Sequence, residues 1–261
     1  FTGGIDSLDS DYASAFNYKI QALFFKLCYW VADSCIIVSQ SDLKNIFKVS
    51  SLKKKLSYSE HVINTKLFIA DVPKEKIFTS IVWMGDEGNV VRKGVDKALQ
   101  IFAELKKIPE FVDYRFVIIG RKGEGEVLVR SIIDKYNLKG SVELKGEVSE
   151  EDKINLLKQS KYYFQLSLYE GFGLAALEAL CANNIIIHSG KGGLANPIYK
   201  EQLLFDIDND FDSELLKLVN KLACFTPITS YDNLLEYYDI QRRKDDFEAI
   251  IVNGKSNYKL K

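Results

Sequence analysis

Short apolar runs alternate with segments of helical periodicity from residue 77 onward, and this alternation constrains the fold more than any other feature of the chain. Strands and helices in alternation form a parallel sheet with right-handed crossovers. Strands that are apolar throughout, such as the run Phe116, Val117, Ile118 and Ile119, are typical of sheets covered on both faces. The pattern therefore predicts an α/β fold, a Rossmann-like parallel sheet with helices on both faces.

The same pattern gives bounds for the individual elements. Apolar runs predict six strands at residues 77–84, 114–119, 142–144, 162–168, 185–188 and 203–205. Helical periodicity predicts helices at residues 95–107, 126–136, 149–159, 174–182 and 213–223, with a shorter one at 196–201. Ligands in such sheets bind past the carboxyl ends of the strands, where Gly85, Gly120, Gly146 and Glu170 fall.

The turn between the fourth predicted strand and the helix after it is the strongest candidate for a binding site. Its sequence is Glu170-Gly171-Phe172-Gly173-Leu174. Gly171 and Gly173 carry no Cβ atom, so a ligand can approach the backbone closely. The helix directs its free N–H groups and the positive end of its dipole at this turn, which favours an anion. Such turns are common in α/β proteins, so the turn alone supports a structural role equally well.

Two glutamates beside the turn indicate that the ligand also carries hydroxyl groups. Glu170 lies in the turn and Glu178 follows eight positions later. An ionised carboxylate only accepts hydrogen bonds and can span two neighbouring hydroxyl groups, whereas it would repel a phosphate that it touched. A nucleotide sugar, which has an anionic middle and polyol ends, fits both the turn and the glutamates.

A basic pair, Arg92 and Lys93, precedes the first long helix and is predicted to face the same crevice. Guanidinium and ammonium groups bind diphosphates through charge-assisted hydrogen bonds. The alternative is a helix start whose two cations have no role in binding.

The stretch from Glu170 to Leu174, together with Glu178-Ala179-Leu180, resembles the signature of the retaining glycosyltransferases with the GT-B fold, the glycogen-synthase-like and sucrose-synthase-like enzymes. The likeness extends over residues 77–205, with a weaker echo over residues 32–68. It implies the C-terminal, donor-binding half of a GT-B fold plus a partial N-terminal α/β domain. The implied activity is transfer of a sugar from a nucleoside diphosphate to a glycan or lipid-linked acceptor with retention of configuration, as in surface polysaccharide synthesis.

The resemblance also assigns roles to residues. Glu170 and Lys93 are the expected catalytic residues, since Glu170 would hold hydroxyls of the donor sugar and Lys93 the leaving diphosphate. The expected donor-binding residues are Arg92, Gly171, Phe172, Gly173, Leu174, Glu178, Gly85, Gly146 and Val148. Among these, Glu178 would bind the ribose diol, and residues 146–148 would present backbone groups to the base. The implied donor is a UDP- or GDP-sugar, and no metal or other cofactor is expected, because fixed cations and amides stabilise the diphosphate.

Three departures from the family pattern are visible. Asp86 stands where the family usually has an arginine, and Arg92 is expected to compensate by reaching in from the turn. Asn183 and Asn184 replace the usual glycine after the second glutamate, and asparagine can take the left-handed, helix-ending conformation. The usual glutamate after Gly193 is missing, which is expected to alter contacts to the donor.

Three segments are predicted along the chain. They are a C-terminal remnant of an acceptor-side α/β domain with its linker (1–74), a nucleotide-sugar-binding Rossmann-like domain (75–226), and a C-terminal helix with its tail (227–261). The remnant is expected to contain a helix that begins at Ser10 or Asp11, strands at 35–38 and near 61–64, and a helix at 42–48. The last helix, residues 232–251, is expected to pack back on the N-terminal domain.

About 70 residues are too few for a whole acceptor domain and would leave an apolar sheet face exposed. A longer chain or a partner chain must therefore complete it. The main alternative to an enzyme is a non-catalytic nucleotide-sugar-binding subunit that needs a partner chain. A third alternative is another GT-B enzyme, such as a nucleotide-sugar epimerase or a phosphorylase. In a phosphorylase, the lysine that holds the cofactor could only be Lys191.

The acidic run that begins at Asp206 does not form an EF-hand. Its sixth and twelfth positions, Phe211 and Lys217, are not the glycine and glutamate that such a loop requires. We therefore predict that Asp210 or Asp212 caps the helix that follows.

Charge and cysteine content exclude several classes of function. The net charge of −1 offers no general attraction to nucleic acid. Two distant histidines and four scattered cysteines predict no metal cluster, and the cysteines are expected to be buried free thiols in a reducing compartment. Lys26 and Asp33 interrupt the longest apolar run, which argues against a transmembrane helix. The expected location is cytoplasmic, at the inner face of the membrane if the run Lys53-Lys54-Lys55 contacts anionic lipid rather than forming a solvated face.

Overall fold

The protein is described here from a computed structural model, which covers residues 15–38, 55–69, 72–225 and 236–253. The N-terminal part contains helix α1 (Ala15–Val31) and two short parallel strands, β1 (Cys35–Ile37) and β2 (Leu56–Tyr58). The expected helix start at Ser10 or Asp11, the helix at 42–48, and the C-terminal tail all lie outside the described residues.

Lys55 connects α1 to the second of these strands. Its ammonium group donates hydrogen bonds to the carbonyl oxygens of Trp30, at 3.0 Å, and Ala32, at 2.7 Å. The carbonyl groups at a helix end have no partner within the helix and carry partial negative charge, so a cation stabilises them there. Lys55 is therefore a helix cap, and the prediction of a solvated or lipid-binding face is wrong for this residue. Lys53 and Lys54 lie outside the described residues.

Six parallel strands form the main sheet, in the spatial order β5-β4-β3-β6-β7-β8. They are β3 (Glu75–Ile81), β4 (Arg115–Ile119), β5 (Val142–Gly146), β6 (Ser160–Gln165), β7 (Ile185–His188) and β8 (Leu203–Leu204). Each corresponds to a predicted strand, so the prediction of a parallel sheet is confirmed.

Helices lie between these strands and after the last of them. They are α2 (Glu87–Arg92), α3 (Val95–Leu105), α4 (Glu126–Lys135), α5 (Glu150–Gln159), α6 (Leu174–Cys181), α7 (Phe211–Cys224) and α8 (Ile240–Asn253). Asp210 caps α7 by accepting a hydrogen bond from the Ser213 amide at 2.9 Å, as predicted from the acidic run. Asn183 ends α6 with a φ of 62°, which is the left-handed role predicted for it.

The sheet carries an apolar cluster on each face. Successive side chains of a strand point to opposite faces, so neighbouring residues of one strand join different clusters. Tyr162 and Phe164 of β6 join one apolar cluster, in which Phe78 of β3 stacks on both rings at 4.6 and 5.1 Å between centroids. Tyr163, between them in sequence, belongs to the cluster on the other face, beside Leu177 of α6. The expectation that helices cover both faces is confirmed.

The strand order reverses between β3 and β6. From β3 the chain builds outward through β4 to β5, then returns to place β6 on the other side of β3 and builds outward again to β8. The connections on the two sides of this point diverge and leave a crevice at the carboxyl ends of the strands. Ile81 and Gln165, the last residues of β3 and β6, mark it.

Two local predictions are wrong, and one helix was missed. The strand expected near residues 61–64 lies earlier in the chain, at β2 (Leu56–Tyr58). Ile63 itself forms only an isolated bridge with Asp239. Residues 196–201 are not an α-helix. Short 3-10 turns at Gly192–Ala195 and Pro197–Tyr199 replace it. Helix α2 was not predicted.

Helix α8 packs on the segment that follows β2. Ser59 donates a hydrogen bond to Asp246 at 2.7 Å, and the backbone carbonyl oxygen of Glu60 accepts one from Arg242 at 3.4 Å. The described part of the last helix thus contacts the N-terminal part, as the family resemblance implies.

The four cysteines are free, but only Cys181 is buried; Cys35 is half-buried, and Cys28 and Cys224 are exposed. The prediction that all four are buried is therefore wrong. In the described ranges, no helix combines the length and the apolarity needed to cross a bilayer.

Candidate active site

A cavity of about 420 Å³ lies at the point where the strand order reverses. This volume falls within the range of small-molecule sites. The residues that line it are His61, Ile81, Arg92, Lys93, Gln165, Tyr169, Glu170, Gly171, Phe172, Gly173, Leu174 and Ala175. Seven of the eleven predicted site residues are thus brought together: Glu170, Lys93, Arg92, Gly171, Phe172, Gly173 and Leu174.

The start of helix α6 forms one wall of the cavity. Gly173 precedes the helix with a φ of 88°, in the left-handed region that glycine adopts without strain. Leu174, the first helical residue, follows it in the cavity lining. The first amides of a helix lack partners within the helix and carry the positive end of its dipole. This wall therefore favours an anionic ligand group.

A partly buried ion pair joins the two predicted catalytic residues. Nζ of Lys93 lies 2.8 Å from Oε2 of Glu170, and their side chains are 24% and 15% exposed. The same carboxylate oxygen accepts hydrogen bonds from the side chains of Gln165, at 3.0 Å, and Ser167, at 3.2 Å. Three donors thus fix the orientation of the Glu170 carboxylate at the cavity.

The backbone around Gly94 holds Lys93 in this place. The amide of Leu168 donates to the carbonyl oxygen of Arg92 at 2.8 Å, which ties the end of α2 to the segment before Glu170. Gly94 has a φ of 69°, and a Cβ atom there would lie 2.0 Å from the carbonyl oxygen of Leu166. Only glycine permits this close approach, and the approach brings Lys93 to Glu170.

Asp86 has a structural role in this region. It caps α2 by accepting a hydrogen bond from the Asn89 amide at 2.6 Å. Arg92, in the last turn of that helix, donates to the Asn89 side chain at 2.7 Å and lines the cavity. Two cations, Arg92 and Lys93, therefore lie at the cavity although an aspartate occupies the position where the family usually has an arginine.

Glu178 is absent from the cavity lining. Its two carboxylate oxygens lie 3.0 and 2.9 Å from Nζ of Lys153 on α5. Burial raises the pKa of Glu178 above its ordinary value, while the hydrogen bond from Lys153 acts in the opposite direction. Burial acts to lower the pKa of Lys153, but its hydrogen bonds with Glu150 and Glu178 outweigh burial, so this pKa is raised. The role of Glu178 at a ribose stays a prediction, and a ribose diol would have to share the carboxylate with Lys153.

The other three predicted donor-binding residues also lie outside the cavity lining. Gly85 packs against Trp83, and its carbonyl oxygen accepts a hydrogen bond from Glu124 at 3.1 Å. Gly146 ends β5, where its carbonyl oxygen accepts from Gly120. Val148 packs on an apolar cluster of the sheet. Contact of these residues with a base stays a prediction.

Asn196 lies in the segment after Gly193, where the family glutamate is missing. Its side chain donates to the Glu60 carboxylate at 2.9 Å and accepts from the Ile198 amide at 3.1 Å. Asn196 therefore joins the segment after β2 to a 3-10 turn and is not among the residues that line the cavity.

His61 lines the cavity and was not predicted as a site residue. Its ring meets that of Phe172 edge to face, with 5.3 Å between centroids. The only signal in the sequence was its position within the weaker N-terminal echo over residues 32–68. Among the described residues, no group of three histidine, cysteine, aspartate or glutamate side chains could hold a metal ion.

Comparison with known proteins gives a family match. A model of the family described as "Glycosyl transferases group 1" matches residues 88–223, just over half of the 261-residue chain. The sequence is 32% identical over 163 residues to the GDP-mannose:cellobiosyl-diphosphopolyprenol alpha-mannosyltransferase of Xanthomonas oryzae pv. oryzae, covering 54% of this chain and 40% of that protein. It is 30% identical over 105 residues to a human subunit of phosphatidylinositol N-acetylglucosaminyltransferase, covering 40% and 21%. The chain thus spans less than half the length of these two relatives.

Solved structures match over more of the chain. HepE from Anabaena, in complex with UDP-glucose, superimposes with a TM-score of 0.75 at 13% identity, covering 96% of this chain and 71% of that one. Sucrose-phosphate synthase from Thermosynechococcus elongatus superimposes with a TM-score of 0.67 at 21% identity, covering 89% and 57%. These likenesses confirm the Rossmann-like α/β fold and its similarity to GT-B glycosyltransferases.

Proposed function

Because this chain belongs to the group 1 glycosyl transferases, we propose that its cavity binds a nucleoside-diphosphate sugar and that the sugar is transferred with retention of configuration. The donor is a UDP- or GDP-sugar, and the acceptor is a glycan or a lipid-linked molecule. The observation that carries the proposal is the Lys93–Glu170 ion pair at the start of α6, where a cation, a carboxylate and the first residues of a helix line one cavity.

The proposed ligand matches these groups by charge. The diphosphate carries the negative charge that Arg92, Lys93 and the first amides of α6 favour. The sugar hydroxyls are donors, which the Glu170 carboxylate accepts. A ligand with both groups pairs with Lys93 through its diphosphate and with Glu170 through its sugar hydroxyls. Binding can therefore separate the ion pair without leaving either charge unpaired.

The same groups account for the proposed reaction. When the bond between the sugar and the diphosphate breaks, negative charge accumulates on the departing phosphate oxygen. Cations and amides that are already fixed toward that oxygen stabilise it without reorganisation. Gln165 and Ser167 keep Glu170 oriented toward the sugar during this step. These residues supply the stabilisation without a metal ion.

The acceptor is the least defined part of the proposal. The names of the two relatives contain a diphosphopolyprenol and a phosphatidylinositol, which supports a lipid-linked acceptor for this chain. On that basis we place its activity in surface polysaccharide synthesis at the cytoplasmic face of a membrane. The groups that hold the acceptor are expected from an N-terminal acceptor domain or from a partner chain.

A second candidate is a nucleotide-sugar-binding subunit that acts only with a partner. The word "subunit" in the name of the human relative supports it. The two candidates share the donor site and differ in turnover. An enzyme releases the nucleoside diphosphate from its sugar when acceptor is present, whereas a binding subunit releases none without its partner.

Calorimetric titration tests the donor site directly. We expect saturable binding of UDP or GDP and tighter binding of the corresponding nucleotide sugar, for example UDP-glucose or GDP-mannose. Absence of binding for both nucleotides and for both nucleotide sugars would contradict the proposal.

A further inference from the structure

His61 is a cavity residue that comes from outside the matched family region. It follows β2 in the N-terminal part of the chain, 31 positions or more before the cations at the cavity. Its ring packs edge to face with that of Phe172, a member of the turn before α6. The imidazole therefore borders the same space as Arg92 and Lys93.

Arg243 of helix α8 fixes the tautomer of this ring. Its Nη1 atom lies 2.6 Å from Nδ1 of His61. A guanidinium group donates hydrogen bonds and cannot accept them, so Nδ1 is the acceptor in this contact and carries no proton. A neutral imidazole keeps one ring proton, which must then reside on Nε2. His61 thus presents an N–H donor rather than a base through its second nitrogen.

Arg243 is itself held in place. Its guanidinium lies 5.3 Å from the ring of Phe247, and Nη1 also donates to the carbonyl oxygen of Glu60 at 3.5 Å. Ser59, the residue before Glu60 in the chain, donates a hydrogen bond to Asp246 of the same helix. The segment that carries His61 is therefore attached to α8 at several points, and the ring has little freedom to turn away from the cavity.

We infer that His61 donates its Nε2–H to a phosphate oxygen of the bound donor, and that Arg243 is the positioning residue that sets this donor. The inference rests on the proposed function, because it requires a diphosphate in the cavity. An N–H donor complements the anion-binding character that Arg92, Lys93 and the start of α6 give to the cavity. It adds a hydrogen bond without adding a third positive charge.

Binding of UDP and of uridine to a His61→Phe variant tests the contact with phosphate. Phenylalanine keeps an aromatic ring against Phe172 but has no N–H group. We expect UDP affinity to fall about 10- to 100-fold, because hydrogen bonds to charged groups are strong, while uridine affinity stays unchanged. GDP and guanosine are measured in parallel.

The outcomes separate this inference from the proposed function. Equal affinity of the wild type and His61→Phe for the diphosphate would overturn the role of His61 and leave the proposed function standing. An equal loss for nucleoside and diphosphate would overturn the phosphate contact in favour of general packing. If neither diphosphate binds the wild-type protein, both proposals fail.

The role of Arg243 has a spectroscopic readout that packing alone would not change. The chain contains only two histidines, so the 15N signals of the His61 ring can be assigned with a His188→Gln variant. We expect a protonated Nε2 in the wild type, a mixture of tautomers in Arg243→Met, and recovery in Arg243→Lys. Lys244→Met, on the exposed side of the same helix, is the matched control. An unchanged tautomer in Arg243→Met would overturn the positioning role.

Discussion

Nζ of Lys93 and Oε2 of Glu170 lie 2.8 Å apart, although 77 positions separate the two residues in the chain. The pair joins the end of α2 to the turn before α6, and both side chains line the cavity. Each charge is the partner of the other. A ligand that binds between them must offer negative charge to the lysine and hydroxyl groups to the glutamate, which is the basis of the first two predictions.

We expect Glu170→Gln to separate binding of the nucleotide from binding of the sugar. The amide keeps the shape of the side chain but releases Lys93 from its ion pair, so the lysine can bind phosphate without competition. UDP or GDP should bind as tightly as to the wild type or more tightly, whereas the nucleotide sugar should lose about 10- to 100-fold in affinity. Calorimetry with both ligands measures the difference, and an equal loss for both would contradict the role of Glu170.

We expect Lys93→Met to weaken the nucleotide and the nucleotide sugar alike, each by about 10- to 100-fold, because the lost interaction is with the diphosphate that they share. Lys107→Met is the control, since Lys107 also pairs with a glutamate, Glu104, but on the exposed surface. Unchanged nucleotide affinity in Lys93→Met, measured by the same titration, would remove Lys93 from the phosphate site.

Glu178 and Lys153 give a paired test of the ribose prediction. If Glu178 accepts hydrogen bonds from a ribose diol, Glu178→Gln should weaken UDP by about 10-fold and have little effect on 2′-deoxy-UDP. Lys153→Met breaks the same ion pair but keeps the carboxylate, so it should not weaken UDP. The prediction fails if both variants lower thermal stability and neither changes UDP affinity, because the pair would then be structural only.

The sheet could be predicted from the sequence because most of its strands contain continuous apolar runs and these runs alternate with helical segments along the chain. Helix α2 was missed because it is short and contains Gly88 and Asn89, which favour turns. Asp86 was interpreted as a missing cation, yet a short carboxylate before a helix is also a cap. Only the backbone conformation around Asp86 shows that it is a cap.

The candidate site was predictable where the chain itself connects its residues, as in the turn from Glu170 to Leu174. The convergence of Lys93 on Glu170 depends on the close approach at Gly94, which periodicity does not reveal. His61 could not be predicted, because its place at the cavity depends on Arg243, at the other end of the chain. Such contacts arise from tertiary packing and leave no local pattern.

The close approach at Gly94 predicts a loss of stability on substitution. Gly94→Ala forces a residue with a Cβ atom into a positive φ and against the carbonyl oxygen of Leu166. Gly140→Ala is the matched control, because Gly140 has a φ of 82° but no atom within 4 Å of the added Cβ. We expect the control to lose about 1 kcal/mol in the free energy of unfolding and Gly94→Ala clearly more. Equal losses in chemical denaturation would contradict the account of how Lys93 is held.

His188 predicts a loss of stability in acid. Its side chain is 5% exposed, and burial lowers its pKa from 6.5 to about 4. Between these two pH values the unfolded chain binds a proton that the folded protein does not bind, so the free energy of unfolding falls as the pH is lowered through this range. The contribution is roughly 3 kcal/mol at most. Denaturation of His188→Gln between pH 7 and pH 4 should show a correspondingly smaller slope than the wild type, and identical slopes would contradict the prediction.

The most direct test of the donor site is a titration of the 15N-labelled protein with UDP or GDP, followed by the backbone amide signals. The account predicts saturable shifts of Gly171, Gly173 and Leu174, at the start of α6. The amides of Gly140 and Val142, which line a separate cavity beside α4, should stay unchanged. Saturable shifts at that second cavity with none at the start of α6 would contradict the proposal that a diphosphate binds between Lys93 and the turn at Glu170.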